Sequence, residues 1–124
     1  MYALHIDSRN GTYPPPDFGL YLDRNWEPTW NAVVIHWRDF RPLKDPEILF
    51  RETRLAFEKA RMGQWVEVGC LAGCGRTGTV LACMAVLSGV PAGEAVSWVR
   101  RNYDQDAVET ADQFELISQF SKRI

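Results

Sequence analysis

The chain has no apolar run long enough to span a bilayer. It has no excess of positive charge either. Its formal net charge is −2, which removes the electrostatic case for nucleic acid or an anionic membrane as partner. Histidine occurs only at His5 and His36, and the three cysteines, Cys70, Cys74 and Cys83, fall within one short stretch. No second Cys/His pair exists to complete a zinc site around Cys70 and Cys74, and no C-x-x-C is present for thiol redox chemistry. An odd cysteine count argues against a disulfide scaffold and for a reduced, cytoplasmic protein. Met1-Tyr2-Ala3-Leu4-His5 does not read as a signal peptide. Repeats, low-complexity tracts and internal boundaries are absent. The 124 residues, 46% hydrophobic, therefore read as one domain, 1–124, with enough apolar content for a core.

What is present is concentrated in Trp65–Val80. A β-branched run, Val66 to Val68, leads into a loop with glycines at 69, 73, 75 and 78, and then into an apolar helical pattern. Strand, glycine loop and helix aim backbone N–H groups and a helix N-terminus at an anion. Cys70 opens this loop and Arg76 closes it. The helix dipole and the guanidinium both favour a thiolate at Cys70, which makes it a nucleophile. Arg76 offers a planar fork that matches two phosphate oxygens. Thr77 can place its hydroxyl near the sulfur and ease its departure as a leaving group. The cup comprises Leu71, Ala72, Gly73, Cys74, Gly75 and Arg76. The nucleotide-binding pattern G-x-x-x-x-G-K-[ST] fails here, with cysteine at its first glycine and arginine at its lysine.

The string Cys70-Leu71-Ala72-Gly73-Cys74-Gly75-Arg76-Thr77-Gly78 resembles the C-x5-R signature of the cysteine-dependent protein phosphatases, tyrosine-specific and dual-specificity. The family usually carries histidine before the cysteine; this chain has Gly69. The resemblance implies a compact α/β phosphatase fold, a phosphocysteine intermediate and a phosphorylated protein or small phosphate monoester as substrate. No cofactor and no metal are implied. Leu71 and Ala72 add no positive charge to the cup, which speaks against a polyphosphate or phosphoinositide substrate.

A thiolate that attacks a phosphate monoester expels an alkoxide or phenoxide, so a general acid is needed. Trp37-Arg38-Asp39-Phe40 resembles the family's W-P-D loop, with Arg38 in place of proline. The match makes Asp39 the acid in the first step and the base in the second. Arg38 beside it is expected to lower its pKa and move the activity optimum to the acid side of neutral. Val108-Glu109-Thr110-Ala111-Asp112-Gln113 resembles the family's Q-T-A-D-Q segment. Glu109 stands where the water-positioning glutamine is usual. Gln113 matches the second glutamine, but Thr110 with Gln113 also fits a capping box, and that reading explains the same residues with less.

Along the chain, strands are expected over Tyr2–Asp7, Phe18–Leu22, a buried and central Ala32–Trp37, and Trp65–Val68. Asn10-Gly11 is a turn signal. Helices are expected over Pro46–Met62, capped by Asp45 and stopped by Gly63, then Thr77–Ser88, Glu94–Tyr103 and Thr110–Lys122. Ile48, Leu49, Leu55, Ala56 and Met62 are expected to face inward, as are Phe114, Ile117 and Phe120, with most of the five tryptophans in the core. The fold class that follows is α/β, a small mixed or parallel sheet with helices packed on it. His36 reads as packed or hydrogen-bonded, Cys83 as core, and Cys74 as a loop filler, with a disulfide to oxidised Cys70 as the alternative. Tyr21, Trp26 and Phe40 are the aromatic candidates for the cleft lining.

The competing functions are a phosphatase, a phosphoprotein-binding module with a weak site, and a thiol oxidoreductase or arsenate reductase using Cys70 and Cys74. Binding alone requires neither a thiol nor an acid. Simple redox chemistry has no use for Arg76 and a glycine cup.

Overall fold

The computed structural model describes residues 2–5, 14–23, 27–38, 40–70 and 74–124, the first four by backbone only. Four strands, β1 (Tyr2–His5), β2 (Phe18–Tyr21), β3 (Ala32–Val34) and β4 (Val66–Cys70), form one sheet in the order β1-β4-β2-β3. Every pairing is parallel. Four helices complete the chain: α1 (Pro46–Arg61), α2 (Gly75–Leu87), α3 (Ala95–Asn102) and α4 (Ala111–Ser121), with a 3-10 turn at Ala92–Glu94 before α3. Of the expected alternatives the sheet is parallel.

The sheet has two unlike faces because strand side chains alternate. Phe18, Leu20 and Leu22 from β2 and its end, with Val66, Val68 and Cys70 from β4, enter the main apolar core against the helices. On the opposite face Glu67 is fully buried and its carboxylate accepts a 2.6 Å hydrogen bond from the Tyr21 hydroxyl. Trp30 Nε1 in turn donates to that hydroxyl at 2.9 Å. A buried carboxylate is tolerated only with such partners. This use of Tyr21 removes it from the cleft lining expected from sequence; Trp26 lies outside the described residues.

The run Ala32–Trp37 is neither central nor all strand. Only Ala32–Val34 is strand, at the sheet edge, and those residues are half-buried. The centre belongs to β4 and β2. A continuous apolar run does not distinguish a buried strand from an edge strand followed by an extended segment with Ile35 and Trp37 tucked inward.

Helix α1 begins as its sequence requires. The Asp45 side chain accepts from Glu47 N at 3.2 Å and Pro46 occupies the first turn. Gly63, with φ +95°, follows its end, and Gly89, with φ +110°, follows α2. The inward stripe of α1 is Leu49, Phe50, Thr53 and Ala56. Leu55 and Met62 are exposed, because they lie off that stripe. Phe50 meets Phe120 of α4 at 5.4 Å between ring centroids. The buried side of α4 is Gln113, Leu116, Ile117 and Phe120, so Phe114 points outward, contrary to expectation. Among the described tryptophans Trp37 alone is fully buried; Trp65 and Trp98 are exposed and Trp30 is half-buried. The helix expected over Glu94–Tyr103 divides into the 3-10 turn and α3.

Candidate active site

Cys70 is the last residue of β4, at the C-terminal edge of the parallel sheet, where open α/β sheets receive ligands. The helix that follows starts two residues before Thr77. Gly75 opens α2 and Cys74 is its N-cap, with no side-chain capping bond. Gly78 N donates to Cys74 O at 2.8 Å. The amides of Gly75, Arg76 and Thr77 precede that first bond, so the helix offers donors at the cup. Thr77, one turn in, donates its hydroxyl to Cys70 Sγ at 2.9 Å. Both groups are buried.

Arg76 is 4% exposed. Its Nη1 donates to Leu22 O at 2.9 Å and to Trp37 O at 2.6 Å. The guanidinium thus joins the end of β2, the start of α2 and the segment that precedes Asp39. Asp39 itself lies outside the described residues, as do Leu71, Ala72 and Gly73. Among the predicted site residues the structure brings together Cys70, Cys74, Gly75, Arg76 and Thr77.

Glu109 reaches the same place from the other side. A Cβ at position 75 would overlap Glu109 Oε1 and stand 2.8 Å from Gln113 Oε1. Glycine lets α2 begin in close contact with these two side chains. Gln113 is 2% exposed and committed to capping: its Oε1 accepts from Glu109 N at 2.6 Å and from Thr110 N at 3.3 Å, while Gln113 N donates to Thr110 Oγ1 at 3.2 Å. This is the reciprocal capping box that the sequence suggested.

The segment also holds something no sequence signal announced. Val108 has φ +64°, a left-handed conformation that a β-branched side chain rarely adopts. Arg100 of α3 grips it, Nε donating to Ala107 O and Nη2 to Val108 O, both at 2.9 Å. The strained backbone and its clamp fix Glu109 against the start of α2.

Three groups, Cys74 at the cap of α2, Cys83 within it and Tyr103 after α3, hold their protons more tightly than usual. Burial pushes the Cys74 thiol up to about 11, with the carboxylates of Asp104, Glu109 and Asp106 adding to the effect. Burial alone pushes Cys83 up to about 12, in keeping with a core role. Burial also raises Tyr103, and the Cys70 and Cys74 sulfurs add to that shift. None of the three cysteines takes part in a disulfide. His36 is exposed rather than packed. Among the described residues no group of three or more His, Cys, Asp or Glu could hold a metal ion, and no helix is long and apolar enough to cross a membrane.

This architecture has known counterparts. No established family model matches the sequence. Two proteins of Methanocaldococcus jannaschii, the uncharacterized proteins MJECL20 and MJ0215, are each 44% identical to it. The first match covers 84% of this chain and 76% of the relative, the second 98% and 77%. Among solved structures, Tk-PTP in its active form superposes with a TM-score of 0.75 at 28% identity, covering 88% of this chain and 80% of that one. Human DUSP28 superposes at 0.73 over 86% of this chain and 78% of its own, and its 14% identity speaks to fold alone. With its C-x5-R string at the sheet edge and this likeness, the chain belongs to the cysteine-dependent protein phosphatase superfamily, in its compact, protein-tyrosine-phosphatase-like form.

Proposed function

We propose that the chain is a phosphoric monoester hydrolase acting on phosphotyrosine, and on phosphoserine or phosphothreonine, through a phosphocysteine intermediate in a reduced, cytoplasmic setting. The observation that carries this reading is the 2.9 Å bond from Thr77 Oγ1 to Cys70 Sγ, made beside the buried Arg76. In the first step the Cys70 thiolate attacks phosphorus and the P–O bond to the leaving group breaks. Asp39 gives that oxygen its proton. Arg76 and the amides of Leu71 to Arg76 hold the three equatorial oxygens. In the second step water attacks phosphorus, Asp39 takes its proton, and the S–P bond breaks. The departing thiolate then accepts the hydrogen bond from Thr77. Glu109 is assigned to the water's side of the cup, while Gln113 serves the helix cap.

A second reading is a phosphoprotein-binding module with weak or no turnover. The Glu109 carboxylate against Gly75 favours it, because it sets a negative charge at the helix end that would receive the phosphate. Hydrolysis of a small aryl phosphate between about pH 5 and 8 separates the two. The phosphatase reading requires turnover that vanadate inhibits, that Cys70→Ser abolishes and that Asp39→Asn slows. Turnover that survives Cys70→Ser sinks the phosphocysteine route. Arg38→Pro should move the alkaline limb of the pH profile upward, since removing the charge beside Asp39 keeps the acid protonated to higher pH.

A further inference from the structure

Tyr103 follows α3 and carries a buried hydroxyl that the fold leaves unpaired. Its backbone N donates to Val99 O at 2.8 Å as the helix closes. The segment beyond it is pressed onto α2: Ala107 N donates to Asp104 O at 3.0 Å, and a Cβ at Gly78 would meet Val108 N at 3.1 Å. The same turn of α2 carries Thr77. The Tyr103 Oη is shut off from water, and no hydrogen-bond partner meets it among the described residues. An orphaned buried donor is costly, and native folds keep few of them. Burial tightens the hold of Tyr103 on its proton, and the sulfurs of Cys70 and Cys74 and the Asp104 carboxylate add to that effect. The Thr77 hydroxyl works the other way, which sets it beside the phenol. The other charged groups here are Arg76 of α2 and, toward α4, Asp106 and Glu109, which act on Cys74.

We propose that Tyr103 is a positioning residue for the nucleophile, donating its phenolic hydrogen to Thr77 Oγ1 when Cys70 carries negative charge. The count of hydrogens fixes the direction. Thr77 has one hydroxyl hydrogen, and it goes to Cys70 Sγ at 2.9 Å. Thr77 Oγ1 can therefore meet a second hydroxyl only as acceptor, and a protonated phenol supplies the donor. A chain of hydrogen bonds polarises along its length, so a donor to Thr77 strengthens the bond from Thr77 to sulfur, and most of all when the sulfur is charged. In the resting fold the phenol is unpaired; a thiolate makes Thr77 Oγ1 the stronger acceptor that it turns to. Gly69, which precedes Cys70, has no side chain to offer the sulfur, so this support comes from the Thr77 side. The inference rests on the reading of Cys70 as the nucleophile of a phosphatase and adds a group that governs how readily it ionises.

The test follows iodoacetamide alkylation of Cys70 against pH, with the label located by peptide mapping, in the wild-type chain, Tyr103→Phe, Thr77→Val and the double variant. Tyr103→Phe removes one oxygen and keeps the ring. Expected in Tyr103→Phe is an upward shift of the alkylation midpoint by roughly half to one pH unit, read below the midpoint as a loss of about threefold to tenfold in rate. In the Thr77→Val background the same change should move the midpoint by less than about 0.2 unit, because the phenol acts through the Thr77 oxygen. Urea unfolding below the wild-type midpoint should find Tyr103→Phe as stable as the wild-type chain or more so, since the hydroxyl it removes is unpaired in the resting fold. An unmoved midpoint in Tyr103→Phe overturns the proposal. An equal shift in both backgrounds does the same, because the phenol would then act on the sulfur without Thr77. Lost stability or failure to fold in Tyr103→Phe also overturns it, since the hydroxyl would then be a paired structural group. Alkylation needs no turnover: an aryl phosphate that is never hydrolysed defeats the phosphatase reading, while the midpoints decide the role of Tyr103.

Discussion

The carbonyl oxygen of Trp37 and the Nη1 of Arg76 lie 2.6 Å apart, in a protein where Leu22 O claims the same nitrogen at 2.9 Å. A single guanidinium nitrogen therefore ties the end of a central strand to the segment leading to Asp39. Lysine is a compact point charge and does not reproduce a fork that serves backbone and phosphate together. Arg76→Lys should lower stability in urea by about 1–3 kcal/mol, the cost of leaving buried acceptors poorly paired. It should also weaken vanadate binding by at least about tenfold. Full retention of both would mean that the two carbonyl bonds carry little.

The hydroxyl of Thr77 donates to Cys70 Sγ at 2.9 Å. A hydrogen bond to a charged acceptor stabilises it by about 1.5–3 kcal/mol. Thr77→Val keeps the shape and removes the donor. Iodoacetamide alkylation of Cys70 at neutral pH should slow by roughly tenfold, because the thiolate is the reacting species. Thr77→Ser should restore the rate. Peptide mapping would show whether the label sits on Cys70.

Two glycines of α2 face different neighbours, and alanine should distinguish them. At Gly78 a new Cβ would meet Ala107 Cβ at 2.6 Å and the Ala107 Cα at 3.1 Å, a backbone that cannot step aside alone. At Gly75 it would meet the ends of the Glu109 and Gln113 side chains, of which Glu109 is exposed and can swing away. Overpacking costs about 1–3 kcal/mol. Gly78→Ala should fall at the upper end and Gly75→Ala at the lower. Thermal unfolding of both variants would show it, as a larger drop in Tm for Gly78→Ala.

Much of this arrangement could be read from the chain before any coordinates. Strand, glycine loop and helix around Cys70 is a local pattern, and so are the Asp45 cap and the Thr110–Gln113 box; each arises from residues within a few positions of one another. The failures are all non-local. An apolar run does not say whether its strand lies at the centre or the edge, so the pattern of Ala32–Trp37 points to the centre while the fold sets Ala32–Val34 at the edge. The phase of an amphipathic helix depends on what it packs against, so Leu55, Met62 and Phe114 emerged on the outside. The tie between Arg76 and Trp37, the pairing of Tyr21 with Glu67 and the grip of Arg100 on Val108 join residues through tertiary geometry or strained backbone. Propensity and periodicity contain neither.

Raised thiol pKa values carry a sign for stability. Cys74 lies at about 11 and Cys83 at about 12 in the folded chain, against an ordinary 9.0. The folded state therefore holds these protons more tightly than the unfolded one. Their contribution is fully present below about pH 9 and is lost as pH rises through about 11 to 12. Urea unfolding at pH values stepped upward from about 8 should show stability declining above about 9. Cys74→Ser should make that decline shallower. A slope identical to wild type would show that Cys74 does not hold its proton as its buried, carboxylate-ringed position implies.

The left-handed Val108 and its Arg100 clamp make the most specific prediction about the cup. A β-branched residue at φ +64° costs on the order of 1–3 kcal/mol and persists only where its surroundings enforce it. The two 2.9 Å bonds from Arg100 to Ala107 O and Val108 O supply much of that enforcement. Arg100→Ala should therefore destabilise the chain by about 1–3 kcal/mol. It should also loosen Glu109 relative to Gly75, so hydrogen exchange at the Glu109 and Thr110 amides should quicken beyond what the global loss explains. Val108→Gly relieves the strain, because glycine adopts this conformation without a side-chain clash. In the Arg100→Ala background Val108→Gly should thus recover more stability than it adds to the wild-type chain, and a double-mutant cycle measures the difference. Strict additivity would mean that the clamp and the strain are unconnected, and that Glu109 keeps its place through the Gln113 cap alone.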